Sequence, residues 1–233
     1  MEQRRQRPPR AVLWGIGVGL VVLVLLGAGV LTGFGPQLRL DRAASVAFYV
    51  GDHRSLLVDR VLHLLTAPGY AWFRFLVFLP VVVWLIVRRA VWTTVWVLVA
   101  IGLISPITTG IKDLVGRVRP QFAHGGALDH SKSFPSGHAS GIATMVVVAL
   151  VLGWPFWSRT VRRVALVIGV LAIVVVGLSR MWLGVHYLSD VVAGWALGVA
   201  WTLAVAAAFG AFPGGRAALP ARGGRPARER ESA

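Results

Sequence analysis

Six uncharged, strongly apolar stretches, 11–38, 75–87, 90–111, 133–157, 164–179 and 191–215, alternate with short polar segments along the chain. Crossing the hydrocarbon core of a bilayer takes about 20 helical residues, and a helix satisfies its own backbone in lipid. The pattern therefore predicts an all-α, six-span transmembrane helical bundle. The second stretch is too short by itself, so its span is expected to begin near Pro68 and to carry Arg74 near its outer end, with the side chain snorkelling to the interface. The fifth span is expected to end with Arg180 in the same way. Between the first two spans, Leu57, Val61, Leu64 and Leu65 recur at helical spacing beside Arg54, Asp59, Arg60 and His63. Residues 39–67 thus read as an amphipathic helix in the outer interface, with His53 and His63 at its surface. The resulting division is a basic tail (1–10), a six-helix membrane domain (11–212) and a disordered basic tail (213–233) rich in Gly, Pro, Arg and Ala.

Composition supports the membrane assignment: the 233 residues are 56% hydrophobic and 14% charged, with mean hydropathy +0.71. The first apolar run exceeds the 7–15 residues of a signal-peptide core and lacks an A-x-A site, so it reads as an uncleaved first span. A net charge of +15 would suit nucleic acid, but the positions of the charges argue otherwise. Arg4, Arg5, Arg7, Arg10, Arg88, Arg89, Arg159, Arg162, Arg163, Arg216, Arg222, Arg225, Arg228 and Arg230 fall at the two ends and in two alternate loops. By the positive-inside rule these segments, and both termini, face the cytoplasm, and anionic lipid headgroups are the partners they imply. Cysteine is absent, which removes disulfides, a thiolate nucleophile and any Cys-based metal site. Arg outnumbers Lys 22 to 2 in an Ala-, Val- and Gly-rich chain, a composition typical of a GC-rich bacterial genome.

Three ionisable groups between two apolar runs, Arg180, His186 and Asp190, require a reason, since an Arg or Asp costs about 2.5–3.5 kcal/mol at the centre of a span. With a helix from Tyr187 onward, His186 and Asp190 would share one face at i, i+4, and the carboxylate could hold one imidazole nitrogen while the other attacks or transfers a proton. Read alone, Arg180 could equally be a topological anchor, and His186 with Asp190 a satisfied surface pair. Lys112 and Arg119 frame the loop before the fourth span, which opens with Pro135-Ser-Gly-His138. Ser136 is a plausible N-cap, Gly137 permits close backbone approach, and unpaired amides at the helix start favour an anion. Loop parity puts Lys112, Arg119, Ser136, His138, Arg180, His186 and Asp190 on one outer face. Three cations, a helix N-terminus and two histidines suit a tetrahedral oxyanion such as phosphate, and no carboxylate cluster offers Mg²⁺ its oxygens.

Lys112-x6-Arg119-Pro120, Pro135-Ser-Gly-His138 and Ser179-Arg180-x5-His186-x3-Asp190 together resemble the three signature motifs of the type 2 phosphatidic-acid phosphatase superfamily. That resemblance implies a phosphohistidine enzyme with His186 as nucleophile, Asp190 as its orienting partner and His138 as general acid. It implies a phosphate cradle of Lys112, Arg119, Ser136, Gly137 and Arg180; with Lys112, Arg119 and Arg180 supplying the charge and no carboxylate cluster in the sequence, no metal and no cofactor are expected. Arg117, Lys132, His124, Asp129 and His130 match no motif position and are expected to be solvated loop or headgroup residues. The expected substrate is a lipid phosphate or diphosphate at the extracytoplasmic face, with a polyprenyl diphosphate such as undecaprenyl diphosphate first and phosphatidate or phosphatidylglycerophosphate as rivals. A lipid-phosphate binding or transport protein would be expected had His138, His186 or Asp190 been replaced. Vanadate-dependent oxidation, the chemistry of soluble haloperoxidases with a similar cradle, fits six hydrophobic spans poorly. Oligomeric state is not legible.

Overall fold

The computed structural model describes residues 8–122 and 131–220. The described residues form eight α-helices and no strand: α1 (Arg10–Leu31), α2 (Gly35–Phe48), α3 (Leu56–Thr66), α4 (Ala71–Val87), α5 (Val91–Val115), α6 (Gly137–Gly153), α7 (Arg159–Trp182) and α8 (Leu188–Phe209). A 3-10 turn, Ala67–Gly69, joins α3 to α4. Helices α1, α5, α7 and α8 are each long and apolar enough to cross a membrane, and α3 with α4, bent by 52° at the turn, would make a fifth crossing if read as one broken span. Helix α6 occupies the place of the fourth predicted span but has only 17 residues.

Several boundaries differ from expectation for visible physical reasons. The uncharged run 11–38 is not one helix, because Gly33 turns at φ 67° and Pro36, at the start of α2, donates no amide to a continuing ladder. The single amphipathic helix expected over 39–67 is two, α2 and α3, of which α3 is capped by Ser55 accepting from the Val58 amide at 3.3 Å. Arg74 does not snorkel. It is 1% exposed, and its Nε donates to the Ile101 carbonyl and its Nη2 to Ser105 Oγ, both at 3.0 Å. Pro106, inside α5, removes the amide that would pair with the Gly102 carbonyl, next to the Ile101 carbonyl that Arg74 reaches. The expected disorder from Pro213 does not begin there: Ala217 is 1% exposed and its carbonyl accepts from Thr93 Oγ1 at 2.9 Å.

Helix α8 is the centre of the bundle, packed between α1 and α6 and touching α5 and α7. Small residues permit this. A Cβ on Gly194 would lie 2.5 Å from the Ser136 carbonyl oxygen and 2.8 Å from Ala139 Cβ, and one on Gly19 of α1 would lie 2.8 Å from the Ala196 carbonyl. Without a hydrophobic driving force in lipid, such close backbone approach holds helices together. A second cluster, with Trp96, Ile101, Leu85, Phe78 and Val148 buried together, ties α4, α5 and α6. Val167, Ile168, Val170 and Leu171 of α7 are all more than half exposed, an apolar face suited to lipid. The outcome that matters for chemistry is that the first residues of α6 and α8 meet: the Ser136 amide donates to the Asp190 carbonyl at 2.9 Å.

Candidate active site

Asp190 sits in the first turn of α8, fully buried, where its Oδ2 accepts the Tyr187 amide at 2.9 Å. This N-terminal capping contact suits a carboxylate. His186 precedes the N-cap Tyr187 and lies outside the helix, so the expected contact forms through the turn leading into α8. The ring is 2% exposed; Nδ1 lies 3.4 Å from Asp190 Oδ2 and Nε2 lies 3.1 Å from Arg119 Nη1. Arginine can only donate. The pair of contacts therefore fits the tautomer with Nδ1–H toward the carboxylate and a lone pair on Nε2.

Helix α5 ends at Gly116, whose φ of 66° is a left-handed turn that glycine adopts without strain. The chain then redirects Arg117 and Arg119 into the bundle. Arg119 is 4% exposed, and besides His186 its guanidinium donates to the Val185 carbonyl at 2.6 Å, the Ser131 carbonyl at 3.0 Å and Ser131 Oγ at 2.7 Å. Lys112 Nζ donates to the Lys132 carbonyl at 2.6 Å, and Arg180 Nη1 to Thr66 Oγ1 at 3.1 Å.

Ser136 caps α6, accepting the Ala139 amide at 3.5 Å. Beside it, a Cβ on Gly137 would meet nothing closer than Thr108 Cγ2 at 3.9 Å, so the backbone there borders open space. His138 is wedged by the joint between α3 and α4: Tyr70 packs edge-on at 4.4 Å between centroids, and a Cβ on Gly69 would lie 2.6 Å from His138 Cβ. Its Nε2 is buried without a hydrogen-bond partner among the described residues, and the ring lies within electrostatic reach of Arg180, His186, Lys112 and Arg119. The structure thus gathers all eight residues singled out in sequence, Lys112, Arg119, Ser136, Gly137, His138, Arg180, His186 and Asp190, around the abutting starts of α6 and α8.

Arg117 is a correction. Expected in a solvated loop, its side chain is 8% exposed, with Nη1 donating to Asp190 Oδ1 and Ser189 Oγ at 2.7 Å and Nη2 to Asp41 Oδ2 at 2.6 Å. Burial opposes its charge, but Asp190 and Asp41 outweigh that and hold its pKa above the usual arginine value. The guanidinium lies over the Tyr187 ring at 4.0 Å, and burial pushes the Tyr187 phenol up. Asp41 and Ser189 were missed altogether. The available signal was that Asp41 is the sole carboxylate between Glu2 and Asp52, although flanking Arg39 and Arg42 made it read as a surface charge. Lys132 is exposed as expected, whereas His124, Asp129 and His130 lie outside the described residues. Among the described residues, no three His, Cys, Asp or Glu side chains gather as a metal site would require.

The profile of the PAP2 superfamily matches residues 93–212, just over half of the chain and all three motifs. The chain belongs to the PAP2 superfamily. Among curated relatives, phosphatidylglycerophosphatase B of Bacillus subtilis (strain 168) is 39% identical over 116 residues, 48% of this chain and 55% of that protein. Undecaprenyl-diphosphatase of Sulfolobus acidocaldarius is 41% identical over 66 residues, 28% of each chain. The chain thus spans about half the length of the first relative and about a quarter of the second. A crystal structure of a transmembrane PAP2 type phosphatidylglycerolphosphate phosphatase from Bacillus subtilis superposes with a TM-score of 0.71 and 26% identity, over 82% of this chain and 94% of that one. With its several apolar helices and this transmembrane neighbour, the PAP2 chain is a multi-pass membrane protein.

Proposed function

We propose that this PAP2 protein is a lipid phosphatase that works through a phosphohistidine on His186. The observation that carries the reading is the double contact of His186, with Nδ1 toward the buried Asp190 and Nε2 toward Arg119. In this reading Nε2 forms a bond to phosphorus as the bond to the leaving oxygen breaks. His138, whose Nε2 has no hydrogen-bond partner among the described residues, gives its proton to that oxygen. His138 then takes a proton from water, the water oxygen bonds to phosphorus, and the P–N bond breaks to release inorganic phosphate and restore His186. Lys112, Arg119, Arg180, the Ser136 hydroxyl and the amides at the start of α6 stabilise the charge on the phosphoryl oxygens.

Phosphatidylglycerophosphate is the leading substrate, because the longer of the two curated matches and the structural neighbour both carry that activity in their names. This reverses the order expected from sequence. Undecaprenyl diphosphate is the second reading, favoured by the shorter match to a diphosphatase. Release of phosphate by purified protein from a panel of phosphatidylglycerophosphate, phosphatidate and polyprenyl mono- and diphosphates tests both. A kcat/KM for phosphatidylglycerophosphate at least about tenfold above undecaprenyl diphosphate, roughly 1.4 kcal/mol at the transition state, is expected, and the opposite ranking overturns the order. No release from any of them overturns the phosphatase reading.

The cations supply the charge that a metal supplies elsewhere, so activity is expected to survive EDTA. Orthovanadate is expected to inhibit as a trigonal-bipyramidal mimic of the transition state. A strict Mg²⁺ requirement of the purified protein would remove this part of the reading.

The arginine distribution supports six crossings, cytoplasmic termini and a site at the extracytoplasmic face. In a His130→Cys variant, whose cysteine is the only one in the chain, a membrane-impermeant thiol reagent is expected to label intact cells. Labelling only after lysis would reverse the orientation.

A further inference from the structure

Arg117 stands two residues before the cradle residue Arg119, yet its hydrogen bonds go to two carboxylates, Asp190 of α8 and Asp41 of α2. Asp41 is held in turn by the Ser189 amide at 2.8 Å and the Ser189 hydroxyl at 2.6 Å. The three charged side chains are buried, at 8% exposure for Arg117, 3% for Asp41 and 0% for Asp190. Bonded to Asp190 alone, the guanidinium would cancel the carboxylate that faces His186. With Asp41 sharing it, the trio keeps one net negative charge and becomes neutral overall when the imidazole turns positive. In a buried, weakly screened setting that difference is large, since an uncompensated charge costs several kcal/mol.

We propose that Asp41 and Arg117 are positioning residues for His186: Asp41 draws on Arg117 so that Asp190 retains the charge needed to stabilise the cationic, phosphorylated imidazole. The inference rests on the phosphohistidine reading above. Arg117 holds Asp190 Oδ1 through Nη1 and Asp41 Oδ2 through Nη2, so its fork spans both acids at once, a geometry lysine cannot copy. Asp41, 148 residues from Ser189 in sequence, thereby brings α2 into the chemistry although it lies outside all three motifs.

The test compares the full-length protein with Asp41→Asn, Arg117→Gln and the double variant, each assayed for kcat and KM on phosphatidylglycerophosphate in one detergent and checked by gel filtration. Asp41→Asn is expected to lower kcat by about 30-fold with KM within about threefold, in the range that coupling between contacting residues reaches. The double variant, in which neither the guanidinium nor the second carboxylate remains, is expected to recover at least about fivefold of that loss, because Asp190 again faces His186 uncancelled. A merely structural contact would show no such recovery. The inference is overturned by an Asp41→Asn protein with kcat within threefold of wild type, by one that fails to elute as folded protein, or by a double variant no better than Asp41→Asn. His186→Ala run alongside separates the two levels. Turnover by that variant removes the phosphohistidine reading and this inference with it, whereas loss there beside a normal Asp41→Asn removes this inference alone.

Discussion

His186→Ala abolishes phosphate release while leaving the protein folded: that is the largest effect expected of any single substitution here. Truncating the ring deletes the nucleophile but leaves few buried groups stranded. Arg119 Nη1 keeps the Val185 carbonyl at 2.6 Å, and Asp190 keeps Arg117 and the Tyr187 amide. The remaining penalty is a side-chain cavity, a few kcal/mol at most, in a bundle held by glycine-mediated contacts elsewhere. Reactions with ³²P-labelled substrate, quenched in alkaline SDS, check the chemistry directly. Wild type should retain an acid-labile, base-stable phosphoprotein, and His186→Ala should retain none. Folded His186→Ala that releases phosphate at near-normal rates would eliminate the covalent route.

Asp190→Asn is expected to fall short of wild type by about 10⁴ in kcat, the loss seen for a wrong-tautomer substitution in a comparable dyad. Oδ2 faces both the Tyr187 amide and His186 Nδ1, while Oδ1 accepts from Arg117 Nη1. An NH₂ in place of Oδ1 opposes the Arg117 donor, and one in place of Oδ2 gives up the Tyr187 amide and presents a donor to His186 Nδ1, favouring the tautomer that places the proton on the attacking nitrogen. In the proposed reading the substrate is held by Lys112, Arg119 and Arg180, which the substitution leaves in place, so KM should stay within a few fold while kcat collapses. Single-turnover kinetics on the purified variant read this split, and a kcat within tenfold of wild type would mean that Asp190 only caps its helix.

The Ser136 cap and the His186–Asp190 contact were legible because each lies within a few residues of sequence. Arg117 was misread because its partners are distant in sequence, 76 residues away at Asp41 and 73 at Asp190, and a motif window does not see a pairing that joins the segment after α5 to α2 and α8. Arg74 shows the same limit, since its acceptors lie 27 and 31 residues on, in α5. The end of α1 was visible in Gly33 and Pro36 but was overridden by counting charges, and α2 starts before the uncharged run stops. Hydropathy also passes smoothly through Ala67–Gly69, although the helices on either side diverge by 52°. That bend is what sets Gly69 and Tyr70 against His138.

Helix α6 has 17 residues against 25 in α5. At 1.5 Å per residue it reaches roughly 26 Å, short of the ~30 Å hydrocarbon core that its neighbour overspans. Ser136 and His138 open this short helix, so under the proposed topology, with its other end at the opposite boundary of the core, its start would lie about 4 Å inside the hydrocarbon. For the proposed lipid substrate that favours drawing the phosphate inward over lifting the tails into water, which would cost about 0.8 kcal/mol for each methylene exposed.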